Sequence, residues 1–258
     1  MVRGQYIAGS GMMLQRRLME NITNNIANAD TTGYKKEQIV SHSFDEVLVT
    51  RINDPGVVGQ ARISSAQNVG PMNLGTQIDQ LYIDFSEGSL EGTQRNTDLA
   101  LVGDAFFVLR TTAGERYTRS GAFYVDSAGY LADSEGNYLL GENGPIYVGG
   151  TNFSVDMSGV VRLGDSNEIA DQIRVVSFAD NGALRKQGSN LYFSMEAPQA
   201  VPNGYRMVQG FLEGSNVDIG REMVDMLTIF RTYETNQRML MMIDETVGKA
   251  VNEIGRLR

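Results

Sequence analysis

The residues that could do chemistry in this chain are few, and their spacing excludes most of it. His42 is the single histidine among 258 residues, so no two-histidine zinc motif can form. Any nucleophile–histidine–carboxylate triad would have to use it. It stands between Ser41 and Ser43 and reads as a surface histidine. There is no cysteine, which removes thiolate nucleophiles, thiolate metal sites and disulfides. No Gly-x-Ser-x-Gly elbow, phosphate-binding glycine loop or dinucleotide fingerprint occurs. With 31 Asp and Glu residues, a carboxylate pair in the middle of the chain is the one enzymatic arrangement left open. Asp126-Ser127-Ala128-Gly129 and Asp133-Ser134-Glu135-Gly136 resemble cation loops, but they lack alternating ligands ending in glutamate and read as hairpin turns. Asn21-Ile22-Thr23 and Asn152-Phe153-Ser154 match glycosylation tripeptides of the kind that arise by chance. The expectation is a protein without a catalytic, cofactor-binding or metal site.

Two elements at the chain ends carry the stronger pattern. Ile7, Gly11, Leu14, Leu18, Ile22 and Ile26 step by three or four residues, one face of a helix over residues 6–28. Asn24, Asn25, Asn28 and Asp30 then weaken the helix, and Gly33 after Thr31-Thr32 suits a left-handed stop. At the other end Met223, Met226, Phe230, Tyr233, Gln237, Leu240, Asp244, Val247, Val251 and Ile254 alternate steps of three and four, a heptad seam. Ser215 or Asn216 is the expected cap of that helix, with Asp218 and Glu222 near its positive end and Arg256 and Arg258 near its negative end. Gln237 and Asp244 either set register with a partner helix or sit at a wetted edge. Met223, Met226, Met239, Met241 and Met242 either adapt the helix to several neighbours or fill its core.

Between the ends the texture changes. Asp54-Pro55-Gly56 is a strong turn signal in a Gly-, Asn- and Ser-rich stretch that reads as an extended arm. Short alternating runs follow, among them residues 81–85, 106–109, 123–125, 138–140, 146–148, 160–163, 173–178 and 191–193, with turns about every ten residues. The fold class expected is α+β: paired N- and C-terminal α-helices, coiled-coil-like, flanking a central antiparallel all-β domain, a sandwich or distorted barrel. The domain boundaries expected are 1–34 with 216–258 for the helical assembly part, 35–76 for a linker or arm, and 77–215 for the β-domain.

A net charge of −9 argues against nonspecific binding to nucleic acid or anionic lipid. No run approaches the roughly 18 apolar residues of a membrane span, so no membrane insertion is expected. Gln5, Ser10, Gln15, Arg16 and Arg17 break up any secretory signal, so an exported chain would keep its N-terminus.

Three stretches together resemble the flagellar axial proteins, specifically basal-body rod proteins of the FlgF/FlgG type. Residues 24–35, Asn-Asn-Ile-Ala-Asn-Ala-Asp-Thr-Thr-Gly-Tyr-Lys, resemble the N-terminal rod signature, which places Asn28, Thr31, Gly33 and Tyr34 in its motif. Residues 91–107 resemble the start of the shared hook/rod β-domain, and Tyr117-Thr118-Arg119-Ser120-Gly121-Ala122-Phe123 fits its Tyr-Thr-Arg-x-Gly-x-Phe element. Ser215-Asn216-Val217-Asp218-Ile219 with Glu222-Met223 resembles the start of the C-terminal helix. The resemblance implies a structural subunit of the bacterial flagellum, located in the basal body outside the cytoplasm. It implies terminal helices that pair as an inner layer lining a tube, and a β-domain outside them. It also implies ends that order only on assembly, and type III export with the N-terminus retained. The partners implied are further copies in a helical array, other rod and hook subunits, and the export apparatus. Torque transmission from motor to hook would be the function, with the distal rod placed first and a proximal rod or hook-type subunit as alternatives. An oligomeric surface- or carbohydrate-binding β-domain is the reading from outside the flagellum.

Overall fold

The computed structural model describes residues 2–58, 61–164, 168–188, 190–201 and 204–254. It is α+β, with one long helix at each end and β-structure between them whose strand pairings are antiparallel. The chain divides into two compact units. One contains Met1–Thr23, Gln38–Tyr82 and Gly220–Arg258, and the other contains Asn24–Glu37 and Ile83–Ile219.

Helix α1 spans Val2–Ala27. It stops where asparagines begin to compete for backbone partners: Asn28 Nδ2 donates to the Asn24 carbonyl at 2.8 Å. Past a turn over the residues that follow, Gly33 takes the left-handed conformation at φ +67°. Helix α2 spans Ile219–Lys249 and closes in a π-helical turn over Ala250–Ile254. The expected cations Arg256 and Arg258 lie outside the described residues.

Within the first unit the two helices approach through small residues. A Cβ at Gly4 would stand 3.1 Å from Ile243 Cδ1, and one at Gly11 would stand 3.0 Å from Asn236 Nδ2. Seven residues forward in α1 (4 to 11) correspond to seven back in α2 (243 to 236), so the helices run antiparallel where they touch. The side of α2 that is partly shielded carries Met226, Ile229, Tyr233, Asn236, Leu240, Ile243 and Val247, and Ala250 continues it into the π-helical turn. This is the expected seam turned by part of a residue. Met226, Tyr233, Leu240 and Val247 are kept, while Phe230, Gln237, Asp244 and Val251 give way to their predecessors and face solvent. Gln237 and Asp244 lose nothing by staying in water, whereas Ile229 and Ile243 gain by leaving it.

The stretch after residue 35 is built of strands. Glu37–Ser43 pairs with Thr76–Ile83, and Val47–Val58 pairs with Ala61–Met72 as a long two-stranded ribbon. Asp54-Pro55-Gly56 is not a turn. Those residues pair with Ser65, Ser64 and Ile63, just past a register shift after Arg51. A two-stranded ribbon has only edges, where proline is tolerated, so the turn-forming residues sit in a strand beside a bulge.

The second unit is organised about the strand Phe106–Thr111. Phe106 and Val108 point into one hydrophobic cluster with Tyr117, Val176, Phe178 and Tyr192, while Phe107 and Leu109 point into another with Leu99, Leu131, Leu139, Ile146 and Ile173. A strand buried on both faces reads as an unbroken apolar run, and this one does. It pairs with Gly114–Thr118 along one side and with both Tyr138–Leu139 and Val175–Ser177 along the other, branching a nine-stranded sheet. A separate three-stranded sheet is formed by Phe153–Val155, Val160–Leu163 and Glu168–Gln172. Residues 146–148, expected as a strand, contribute Ile146 and Val148 to the core from a loop joined by isolated bridges. The β-structure also continues past residue 205, through Arg206–Gln209 and Phe211–Glu213.

Candidate assembly site

The outer face of α2 is the first candidate. Of the 31 residues of α2, Glu222 alone is buried. Met223, Val224, Leu227, Phe230, Met239, Met241, Met242 and Val251 are all large, apolar and exposed. Met223, Leu227, Phe230, Gln237 and Met241 fall at helical spacing on one side, so a second, exposed stripe runs beside the shielded one, about 100° further round the helix. A helix whose apolar surface extends this far beyond its shielded side needs cover there too. In α1, Ile22 is buried, Gly11, Leu14, Leu18 and Ile26 are half-buried, and Ile7 is exposed. Ala8, which the expected stripe omitted, is buried. The side chain of Ile254 lies outside the described residues.

The second candidate lies in the second unit, where the segments leading from α1 and toward α2 lie together. Two asparagines hold residues 36 and 37. Asn25 donates through Nδ2 to the Glu37 carbonyl at 2.9 Å and accepts the Glu37 N–H through Oδ1 at 3.1 Å. Asn216 Oδ1 accepts the Lys36 N–H at 2.8 Å, and its Nδ2 donates to the Asp84 carbonyl at 2.8 Å. Asn216 therefore does not cap α2, which begins at Ile219. Ser215 Oγ accepts the Val217 N–H at 3.3 Å in a local turn, with Val217 half-buried and Asp218 exposed. The Tyr34 hydroxyl lies 2.9 Å from Asn24 Oδ1 and 3.0 Å from Asn25 Oδ1, and Lys186 Nζ sits 4.2 Å above the Tyr34 ring while donating to Glu37 Oε1 at 2.7 Å. Thr31 takes part in the turn before Tyr34, its N–H donating to the Asn28 carbonyl at 3.1 Å.

Gly33 is fixed by two constraints at once. Its N–H donates to the Glu213 carbonyl at 2.7 Å, and a Cβ there would collide with the Arg119–Ser120 backbone. Beneath it lies a buried ionic cluster. Lys35 Nζ donates to Glu213 Oε1 and to the Ser86 carbonyl, each at 2.6 Å. Burial, with the Arg119 guanidinium nearby, lowers the Lys35 pKa from its ordinary value, while Glu213 pulls the other way. The sequence motifs contain Asn28, Thr31, Gly33, Tyr34 and Arg119, but nothing in the sequence signals the Lys35–Glu213 pair, because partners 178 residues apart leave no local spacing to read.

His42 is half-exposed, with Nε2 2.7 Å from Gln77 Nε2 and Nδ1 4.0 Å from Asp79. That is a surface contact rather than a nucleophile–base pair. Asp133 Oδ1 accepts the N–H groups of Glu135 and Asn137, both at 2.9 Å, the geometry of a turn.

Three family models match the chain in order: Flagella basal body rod protein over residues 6–35, Flagellar hook protein FlgE/F/G D1 domain over residues 100–189, and Flagellar basal body rod FlgEFG protein C-terminal over residues 208–253. The flagellar hook-basal body complex protein FlhO of Bacillus subtilis (strain 168) is 32% identical over 276 residues, covering 100% of both chains. The flagellar basal-body rod protein FlgG of the same organism is 32% identical over 266 residues, covering 98% of this chain and 99% of its own length. FlgG of Agrobacterium fabrum (strain C58) is 32% identical over 260 residues, covering 95% and 96%. Both ends and the middle agree along the full length, and the chain belongs to the flagellar basal-body rod protein family, structural proteins of the flagellum's basal body.

Proposed function

We propose that the chain is a subunit of the rod, the drive shaft of the flagellum, and that it polymerises through α1 and α2 in a helical array that transmits torque from motor to hook. The observation that carries this reading is the exposed apolar face of α2. Each large apolar side chain that a neighbour covers contributes up to about 1.5–3 kcal/mol. A head-to-tail interface that does not close on itself extends into a shaft.

In this reading residues 1–34 and 216–258 form the assembly region, 35–76 an arm, and 77–215 the outer β-domain. The assembly contacts comprise the α1 residues Ile7 to Ile26 and the α2 residues Met223 to Ile254 named from sequence. Its neighbours are further copies of the chain and other rod and hook subunits. Export uses the flagellar type III apparatus, and the distal rod is the placement we favour over the proximal rod or hook. The test is Phe230→Asp in the full chain. The variant should keep the wild-type near-ultraviolet circular dichroism of the β-domain and form no filaments by electron microscopy at concentrations where wild type does. Wild-type filaments from this variant would refute the reading. A discrete dimer or trimer of the wild-type chain, with no filaments at high concentration, would favour an oligomeric β-domain instead.

A further inference from the structure

The buried charges beneath Gly33 do not balance. Two cations, Lys35 and Arg119, converge on one carboxylate, Glu213, and the three side chains are 0%, 1% and 2% exposed. Glu213 Oε1 is fully engaged, accepting from Lys35 Nζ at 2.6 Å and from the Gly88 N–H at 3.1 Å. Glu213 Oε2 makes no hydrogen bond among the described residues, and neither does Arg119 Nε. Arg119 Nη1 stands 3.6 Å from Oε2, about half an ångström beyond hydrogen-bonding reach. The guanidinium is held by Nη2 donating to the Gly103 carbonyl at 2.7 Å, by Nη1 donating to the Leu101 carbonyl at a long 3.4 Å, and by the Phe106 ring 5.2 Å below it. Asp104 is 4.0 Å from Nη2 but exposed, so it neutralises little. Glu213 Oε2 and Arg119 Nε are thus a buried acceptor and a buried donor without partners among the described residues, while Oε1 of the same carboxylate holds Lys35. A buried arginine–carboxylate pair prefers the two-point fork.

We propose that Glu213 is the shared arm of a charge-exchange latch. With residues 33–37 docked, the carboxylate binds Lys35. With that segment released, it swings to Arg119, closes the fork, and leaves the interior of the β-domain with one cation and one anion. The exchange lets the β-domain stay folded while the N-terminal segment is loose, since no buried charge is left unpaired. It also carries docking to the root of α2, because the Glu213 carbonyl accepts the Gly33 N–H and Gly214 N–H donates to the Ser89 carbonyl at 2.7 Å. The latch deepens the assembly reading, for it gives terminal segments that order on assembly a folded body to order against.

The experiment uses the full chain as a monomer, so it stands or falls independently of filament formation. In Lys35→Met, hydrogen exchange at Gly33, Tyr34 and Glu37 should quicken about ten- to hundredfold, the worth of a hydrogen bond to a charged group, while strand Phe106–Thr111 keeps its wild-type protection. The Arg119 Nε–H should exchange with water more slowly than in wild type, having gained the carboxylate. Glu213→Gln, which removes the anion from both cations, should lower protection in both regions. Loss of protection along 106–111 in Lys35→Met as large as in Glu213→Gln would overturn the latch in favour of a static pair. Unchanged exchange at 33–37, or an Arg119 Nε–H that exchanges as in wild type, would overturn it equally.

Discussion

Gly33→Ala separates two costs that usually travel together. Gly33 has φ +67°, and a Cβ there would stand 2.6 Å from Ser120 Cα and 2.7 Å from the Arg119 carbonyl carbon. Gly136 has φ +82°, and nothing lies within 4 Å of the same added atom. Both alanines therefore meet the left-handed penalty, about 1–2 kcal/mol, less about 0.4–1 kcal/mol regained because alanine restricts the unfolded chain. Only Gly33→Ala must also move backbone, which in a packed interior costs about 1–3 kcal/mol more. Gly136→Ala should thus cost about 1 kcal/mol and Gly33→Ala about 2–4 kcal/mol. Urea unfolding followed by tyrosine near-ultraviolet circular dichroism measures both, at unchanged m-value. Equal costs, within about 0.5 kcal/mol, would show that the 33–120 approach is not tight and refute the reasoning.

Three further substitutions have outcomes set by packing and hydrogen bonding elsewhere in the chain. Tyr192 is fully buried with a hydroxyl that has no hydrogen-bond partner among the described residues, so Tyr192→Phe should be neutral or stabilising by up to about 1 kcal/mol in urea unfolding. Burial, with Glu37 and Tyr34 nearby, raises the Tyr192 pKa from its ordinary value. Above about pH 10 the unfolded chain loses a proton that the folded chain keeps, so this residue's contribution makes stability fall as pH rises there, and Tyr192→Phe should flatten that fall. Asn216→Ala strips the Lys36 N–H and the Asp84 carbonyl of their partner at once, and should cost about 1–3 kcal/mol with faster exchange at the Lys36 amide. Phe107→Ala, in the core strand, should cost about 3–5 kcal/mol by the same unfolding assay.

What could be read from sequence was what local rules decide. The asparagine-rich end of α1, the left-handed Gly33 and the all-apolar run from Phe106 to Leu109 are each settled by neighbours in the chain, and the structure has them. The phase of the α2 seam was not legible. Met223, Leu227 and Phe230 on one side and Met226, Ile229 and Tyr233 on the other fit the same three-four rhythm, so periodicity alone cannot choose. Small residues at Gly4 and Gly11 meeting Ile243 and Asn236 mark the side that packs within the chain, and that is a long-range fact. Asp54-Pro55-Gly56 misled for a related reason: turn chemistry and bulge chemistry use the same residues, and pairing across the ribbon decides between them. The Glu213 carboxylate gave no signal at all, since its meaning depends on Lys35 and Arg119 arriving from elsewhere.

Methionine oxidation under hydroxyl-radical footprinting, comparing monomer with filament, reports whether neighbouring subunits cover α2. Met223 and Met241 are 52% and 57% exposed on the outer face of α2, and Met195, 95% exposed on the β-domain, is the internal reference. The assembly account predicts that Met223 and Met241 react freely in the monomer and are shielded in the filament while Met195 stays reactive in both. Filaments in which Met223 and Met241 oxidise as fast as in the monomer would contradict it.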